Sequence, residues 1–368
     1  MSATRATVDL DDTEGLIAAD RDGLLRSASM AGAQVRATAS AVDEGALDAV
    51  AGGGRPRSVI WVAGRGTAES AGVILAATLG PSAAEPIVVT AEVPPWIGPL
   101  DVIVVAGDDP VDPALVAAAA TAVRRGARVV VAAPFEGPLR DASAGRAAVL
   151  APRLWIPDEF GLCRYLAVGL ATMHAVDVAL PSDLTALADE LDAEALRNSA
   201  GRELFTNAAK SVADRITGRA VTLTGDCAAT LALARHGASA FLRLAGCTLA
   251  AAGLADAMTA LRVAAEVGSG GLAVDPLFHD EEIDGPLPER MRVFALTLAS
   301  ERPVVAARIA GLADIDVIGA QDVPDTLEEA SAAPGAASPL RTGRPEQQLA
   351  ILAVRLEMAA VYLRLMRG

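Results

Sequence analysis

The run Gly64-Arg65-Gly66-Thr67-Ala68-Glu69-Ser70 stands between a β-branched stretch and a helix-like apolar stretch. Glycines at such a turn let the backbone come close to a ligand, and Thr67 and Ser70 offer hydroxyls to a phosphate or a sugar. A strand–turn–helix unit of this kind aims the N–H groups of a helix start at an anion. It is not a dinucleotide fingerprint, because Glu69 stands where a third glycine would be needed. It also lacks the Gly-Lys-Ser/Thr ending of a Walker loop. A tight turn with Thr67 as the helix cap accounts for the same residues without a ligand.

The design recurs at Thr224-Gly225-Asp226-Cys227-Ala228, where Gly225 follows Gly64 by 161 residues. Asp226 reads as a helix cap or a sugar-hydroxyl binder, and its charge would repel a phosphate. A third segment, His279-Asp280-Glu281-Glu282-Ile283-Asp284-Gly285, sets an imidazole among carboxylates. That mixture suits proton transfer at a sugar carbon, which needs a base and a ring-opening group. A solvated acidic loop is the other reading. A fourth candidate is Arg164, which follows the Pro157–Cys163 loop and opens an apolar helix. It can grip a phosphate with two N–H groups or pair with a nearby carboxylate.

Metal chemistry is not expected. His174, His236 and His279 are too far apart for an HxH, HxxxH or HExxH pattern. His174 reads as a core or interface histidine. His236 reads as the end of a helix, where the dipole favours its positive form. No Gly-x-Ser-x-Gly elbow or Cys/His signature points to a nucleophilic hydrolase. Lys210 is the only lysine, and no glycine turn stands beside it.

These residues need a scaffold, and the 368-residue length suggests two domains of ordinary size. Hydrophobic residues make up 52% and aromatics only 3%, so Ala, Val and Leu must build the cores. A net charge of −15 argues against a nucleic-acid partner and against an anionic membrane surface. Cys163, Cys227 and Cys247 form no CxxC pair and fit a reducing compartment. No secretory signal or membrane-length apolar run is visible, so a soluble cytoplasmic protein is expected.

Residues 9–50 read as helices, and Gly52–Arg57 as a hinge-like break. Strands are predicted at 59–63, 87–90, 101–106 and 128–133, with helices at 68–79 and 113–125. Their apolar runs are continuous, as parallel strands covered on both faces require. Residues 162–179 read as a helix crossing between domains, and 183–202 as a charged linker. The second half restarts with a helix at 203–216, a strand at 220–224 and a helix at 228–235. Strands are then expected at 239–242, 291–299, 304–309 and 316–318, with a long helix at 247–267. Residues 331–345 read as an exposed loop. Leu349, Leu352, Leu356, Ala359, Leu363 and Met366 form one stripe of a helix over 346–367 that packs on the body or on a dimer mate. The alternation implies a doubly wound α/β fold.

The order of these features resembles the bifunctional phosphoglucose/phosphomannose isomerases, built from two sugar-isomerase (SIS) domains. Val62–Gly72 resembles that family's first phosphate loop. Ile156–Leu170 resembles its Pro-loop-Arg-helix segment, Gly218–Gly225 its entry strand, and His279–Gly285 its His-Asn-Glu-Ile-x-Gly loop. The likeness runs from about residue 15 to the C-terminus and is nearest to a divergent, TobH-like branch. It implies two tandem SIS-type domains, at 1–180 and 181–368, each a doubly wound parallel sheet flanked by helices, in a homodimer. It implies aldose–ketose isomerisation of glucose 6-phosphate or mannose 6-phosphate through a cis-enediol, with no cofactor. Gly64, Gly66, Thr67, Ser70 and Arg164 would hold substrate, and Glu282 or His279 would move protons.

Several residues depart from the family's pattern. Ala106-Gly107-Asp108-Asp109-Pro110 is acidic where the family has a Ser/Thr-rich phosphate loop. Ala238–Gly246 has no carboxylate where the family has its catalytic Glu, and the late lysine has no counterpart. Glu282 and Ile283 match the loop motif, but His279 is displaced by one residue. The departures open a second expectation: a protein that keeps the fold and binds a sugar phosphate or a partner enzyme of mannose metabolism without turnover.

Overall fold

The β-branched runs form parallel strands enclosed on both faces, as their unbroken apolarity requires. The computed structural model describes residues 8–269, 291–322 and 343–367. The first sheet contains β1 (Ser58–Val62), β2 (Ile87–Thr90), β3 (Asp101–Ala106), β4 (Arg128–Ala132) and β5 (Ala147–Val149), in the order β2-β1-β3-β4-β5. All its pairings are parallel. Every residue of β1 and of β3 is buried. The strand order reverses between β1 and β3, so a crevice opens beyond their carboxyl ends.

The second sheet contains β6 (Val221–Gly225), β7 (Ala250–Gly253), β8 (Arg292–Thr297) and β9 (Ile315–Gly319), in the order β7-β6-β8-β9, again all parallel. Four short helices lead the chain: α1 (Thr13–Ala19), α2 (Leu24–Ala28), α3 (Ala31–Asp43) and α4 (Asp48–Ala51). Around the sheets run α5 (Gly66–Leu79), α6 (Pro113–Arg124), α7 (Gly137–Ser143), α8 (Leu162–Val176), α9 (Leu184–Arg197) and α10 (Ala208–Ile216). They are followed by α11 (Ala228–Ala245), α12 (Leu254–Ser269), α13 (Arg302–Ile309) and α14 (Pro345–Arg367).

The helix α14 is buried on nearly every side from Glu346 to Leu365 and packs on α9, α10 and α11. A single amphipathic stripe was expected there, but the helix runs through one core shared by residues of both halves. Its polar groups therefore have to be paired inside. Arg355 Nε donates to Glu194 Oε1 at 2.7 Å, Nη1 to the Gly319 carbonyl at 2.9 Å and Nη2 to the Ala320 carbonyl at 3.1 Å. Tyr362 Oη donates to the Asn198 carbonyl at 2.6 Å. The lysine Lys210 is enclosed as well, and its Nζ donates to the Ala200 and Arg202 carbonyls at 2.8 and 2.6 Å. That amine holds backbone in place.

Several sequence expectations are corrected. Residues 183–202 hold the helix α9, capped by Asp183, whose buried face carries Leu184, Leu187 and Leu191. Residues 239–242 lie inside α11, and 304–309 belong to α13, started by Pro303 in its first turn. The long helix expected at 247–267 splits into β7 and α12. The 203–216 helix begins later, at Ala208, after a short 3-10 turn at Leu204–Thr206. The acidic loop with His279 and Glu282, and most of the loop expected at 331–345, lie outside the described residues.

Candidate functional site

The first glycine turn opens at the carboxyl end of β1. Gly66 has φ +68°, a left-handed conformation that an L side chain resists, and a Cβ there would stand 3.2 Å from Asp158 Oδ2. Gly64 is not constrained in this way, since its Cβ would meet Ala91 at an ordinary 3.4 Å. Thr67 is not the helix cap. Arg65 holds that position without a side-chain bond, and Thr67 is buried two residues further on. Its hydroxyl donates to Asp158 Oδ1 at 3.0 Å and to the Asp158 carbonyl at 3.1 Å. Ser70 Oγ donates to the Gly66 carbonyl at 3.2 Å, back along the same helix.

Opposite this turn runs α11. His236, Ser239, Ala240 and Arg243 recur at helical spacing and form one stripe. With Gly66, Thr67, Ser70 and Glu159 they line a small cleft of about 240 Å³, counting the part open to solvent. Three residues singled out from the sequence, Gly66, Thr67 and Ser70, therefore meet side chains contributed by the second half of the chain. Gly64 and Arg164 are not among the lining residues.

Arg164 is buried with its guanidinium over the Tyr165 ring, 4.0 Å from the centroid, and reaches the Ala132 carbonyl at 3.5 Å. Its carbonyl partner is the last residue of β4, and it does not line the cleft. The Tyr165 hydroxyl has no partner and is buried, which pushes its acidity far below that of an ordinary phenol. Asp158 lies above this region. Burial, and then the Asp108 carboxylate, raise its carboxyl above the ordinary range despite the Thr67 hydrogen bond and the Arg243 charge.

Carboxylates outnumber cations around the cleft. Arg243 Nη2 lies 3.0 Å from Glu159 Oε1 and 3.6 Å from Asp158 Oδ2. Arg65 faces Asp109 and Asp112 at 3.6 Å and Asp108 at 3.9 Å, on the acidic loop that follows β3. Below Arg243 on the stripe, His236 Nε2 lies 2.9 Å from Glu357 Oε1, and both side chains are almost wholly enclosed. His236 stands in the middle of α11, so the helix-end role expected for it does not apply.

The second glycine turn is closed to ligands. A Cβ on Gly225 would stand 2.2 Å from the Leu231 nitrogen and 2.3 Å from the Thr230 carbonyl carbon, so α11 packs directly on the turn. Asp226 does not cap α11. Cys227 is the cap residue, and Asp226 pairs with Arg308 of α13. Burial of the turn against that helix gives its carboxylate a cation instead of backbone N–H groups. Among the described residues no set of three His, Cys, Asp or Glu side chains is placed to hold a metal ion, and no helix is long and apolar enough to cross a membrane.

Sequence reasoning missed Glu159, His236, Ser239 and Arg243. The signal was present: the spacing of 236, 239, 240 and 243 is one helical face, provided Gly237 is read as part of a helix rather than its end. A Cβ on Gly237 would stand 2.9 Å from Leu223 and 3.0 Å from Leu356, so this glycine allows β6, α11 and α14 to approach one another.

No known protein family's sequence pattern matches the chain, and no curated protein matches it by sequence. Solved structures do match. Tagatose-6-phosphate ketose/aldose isomerase from Escherichia coli is 15% identical with a TM-score of 0.59, over 94% of this chain and 91% of that one. Glucosamine-6-phosphate deaminase from Thermotoga maritima is 10% identical with a TM-score of 0.57, over 94% and 95%. The C-terminal domain of glucosamine-fructose-6-phosphate aminotransferase from Francisella tularensis is 12% identical with a TM-score of 0.55, over 94% and 96%. At such identities the likeness is one of fold. The chain has the SIS-type architecture, two parallel α/β sheets flanked by helices, shared with phosphosugar isomerases.

Proposed function

We propose that this chain is a phosphosugar isomerase-like protein that takes a hexose 6-phosphate, glucose 6-phosphate or mannose 6-phosphate, into the cleft between α5 and α11. The observation that carries the reading is the meeting of the Gly66–Ser70 turn with the α11 stripe in a single cleft. Gly66, Thr67 and Ser70 line it from one side, and a cation, Arg243, from the other. In this reading Gly66 and Ser70 contact the sugar, and Arg243 exchanges its carboxylate partners for the phosphate. Gly64 and Thr67 shape the turn, and Arg164 supplies positive charge from beneath. His279 and Glu282, expected from the sequence as proton carriers, lie outside the described residues and are given no place in this cleft. Domains divided at 180/181, a cytoplasmic location and a homodimer belong to the same proposal.

A second reading is binding without turnover, as a sensor or a partner subunit of mannose metabolism. It is favoured by Asp108 and Asp109, which stand with Arg65 where a hydroxyl-rich loop would otherwise cradle a phosphate. A coupled assay with fructose 6-phosphate, glucose 6-phosphate and mannose 6-phosphate, with thermal melting on the same samples, separates the two. Turnover supports the first reading. A raised melting temperature without turnover supports the second. A ligand at 100 times its Kd stabilises the folded state by about 2.7 kcal/mol, enough to register in a melt. Neither response from any of the three sugars would remove both.

A further inference from the structure

Glu357 is 1% exposed, on a helix enclosed along most of its length, and faces His236, itself only 4% exposed, at 2.9 Å. A carboxylate in the middle of an apolar core is costly unless something requires it. Its surroundings are defined on each packed element. Cys163 of α8 is close enough to feel its charge, Asp158 of the 3-10 turn contributes a second negative charge, and His236 of α11 makes the hydrogen bond. Burial first pushes the Glu357 carboxyl up, and the His236 contact partly offsets this. His236 is also one of the residues that line the cleft, on one stripe with Ser239, Ala240 and Arg243. A buried carboxylate behind a histidine that lines a cleft is the arrangement that fixes an imidazole's tautomer and strengthens it as a base.

We propose that His236, oriented by Glu357, is the proton carrier of this cleft, moving a proton between C2 and C1 of an open-chain hexose phosphate. This rests on the reading of the cleft as a phosphosugar site. Nε2–H donates to the Glu357 carboxylate, so Nδ1 is the basic atom. Nδ1 takes the proton from C2 of the aldose. The C2–H electron pair becomes the C1=C2 bond, and the carbonyl π pair moves to O1. The resulting imidazolium is held by the carboxylate. O1 takes a proton from water, O2–H gives one to water, and the imidazolium returns its proton to C1, which leaves the ketose and a neutral ring.

The test measures two things on the intact protein: calorimetric binding of glucose 6-phosphate and fructose 6-phosphate, and deuterium incorporation at C2 or C1 in heavy water by NMR. His236→Gln should slow incorporation by about 100-fold or more while binding changes by less than about threefold. Imidazole added to His236→Ala should restore part of the rate. Glu357→Gln keeps a hydrogen-bond partner but removes the charge that favours the imidazolium. It should slow incorporation by about tenfold or more and move the acid limb of its pH profile to lower pH. A merely structural role for the pair would not move that limb. Wild-type binding without incorporation overturns the proton-carrier assignment and leaves the binding reading standing. Incorporation unaffected by His236→Gln also overturns it. No binding of either sugar removes the phosphosugar reading and the assignment with it. Should both variants fail to fold, 15N titration of the wild-type His236 ring decides. The assignment requires that titration to coincide with the acid limb of the wild-type rate, and a mismatch refutes it.

Discussion

Thr67 and Asp158 are joined twice, through the carboxylate at 3.0 Å and the backbone carbonyl at 3.1 Å, so the 3-10 turn closes over the start of α5. The carboxyl in that bond is raised, by burial first and by Asp108 second. The folded protein therefore binds this proton more tightly than the unfolded chain does. The stability it contributes is fully present below the unfolded value of about 3.9 and is lost as pH rises through the folded value. Relative to wild type, Asp158→Asn should gain melting temperature between pH 4 and pH 7. Melts that show the same difference at both ends of that range would contradict the burial argument.

The two glycines of the first turn should respond differently to a methyl group. Gly66→Ala forces a side chain into a left-handed backbone, at about 1–2 kcal/mol, and crowds Asp158 besides. Gly64→Ala meets only an ordinary contact and should cost less than about 0.5 kcal/mol. Denaturant midpoints compare the two directly. Equal losses would mean that the turn is strained at both positions.

Arg355 holds Glu194 in the core together with the last carbonyls of the second sheet. Burial opposes ionisation of Glu194, but Arg355 and Arg197 outweigh it and hold the carboxyl below its ordinary range. This contribution is present above the unfolded value of about 4.3 and is lost as pH falls through the folded value. Arg355→Met leaves the carboxylate short of a cation and should destabilise by about 3–5 kcal/mol at neutral pH, with a smaller loss in acid. Urea unfolding at pH 7 and pH 4 measures the difference. A loss below 1 kcal/mol at pH 7 would show that Arg197 alone suffices.

Arg243 supplies the positive charge on the α11 side of the cleft and rests on Glu159 and Asp158. Arg243→Gln should weaken hexose 6-phosphate binding by about 10- to 100-fold, the value of a charged hydrogen bond. The unphosphorylated hexose should be affected by less than threefold. Calorimetry with the matched pair of sugars reads this, and equal weakening of both would place the phosphate elsewhere.

Seven of the nine described strands were legible because parallel strands buried on both faces leave unbroken apolar runs, as at 101–106, whereas β5 and β7 are short and mostly alanine and left no such run. The helix α9 was not, because its exposed face carries Asp189, Glu190 and Asp192, and charge density resembles a linker when the buried leucines are not phased. The helix α13 was misread because two adjacent valines outweighed the Pro303 signal. At the site, the glycine turn announced itself locally, through residue types four positions apart. The His236–Glu357 contact spans 121 residues and involves a carboxylate inside an apolar helix, so no local pattern could reveal it.

The enclosure of α14 sets an order of events. This helix is synthesised after every strand of both sheets, yet it supplies the surface on which α9, α10 and α11 close. Until residues 345–367 emerge, the faces of those helices that meet α14 are uncovered, Glu194 lacks Arg355 and His236 lacks Glu357. For the same reason the two sheets should melt in one transition, since withdrawing a single helix unmakes both.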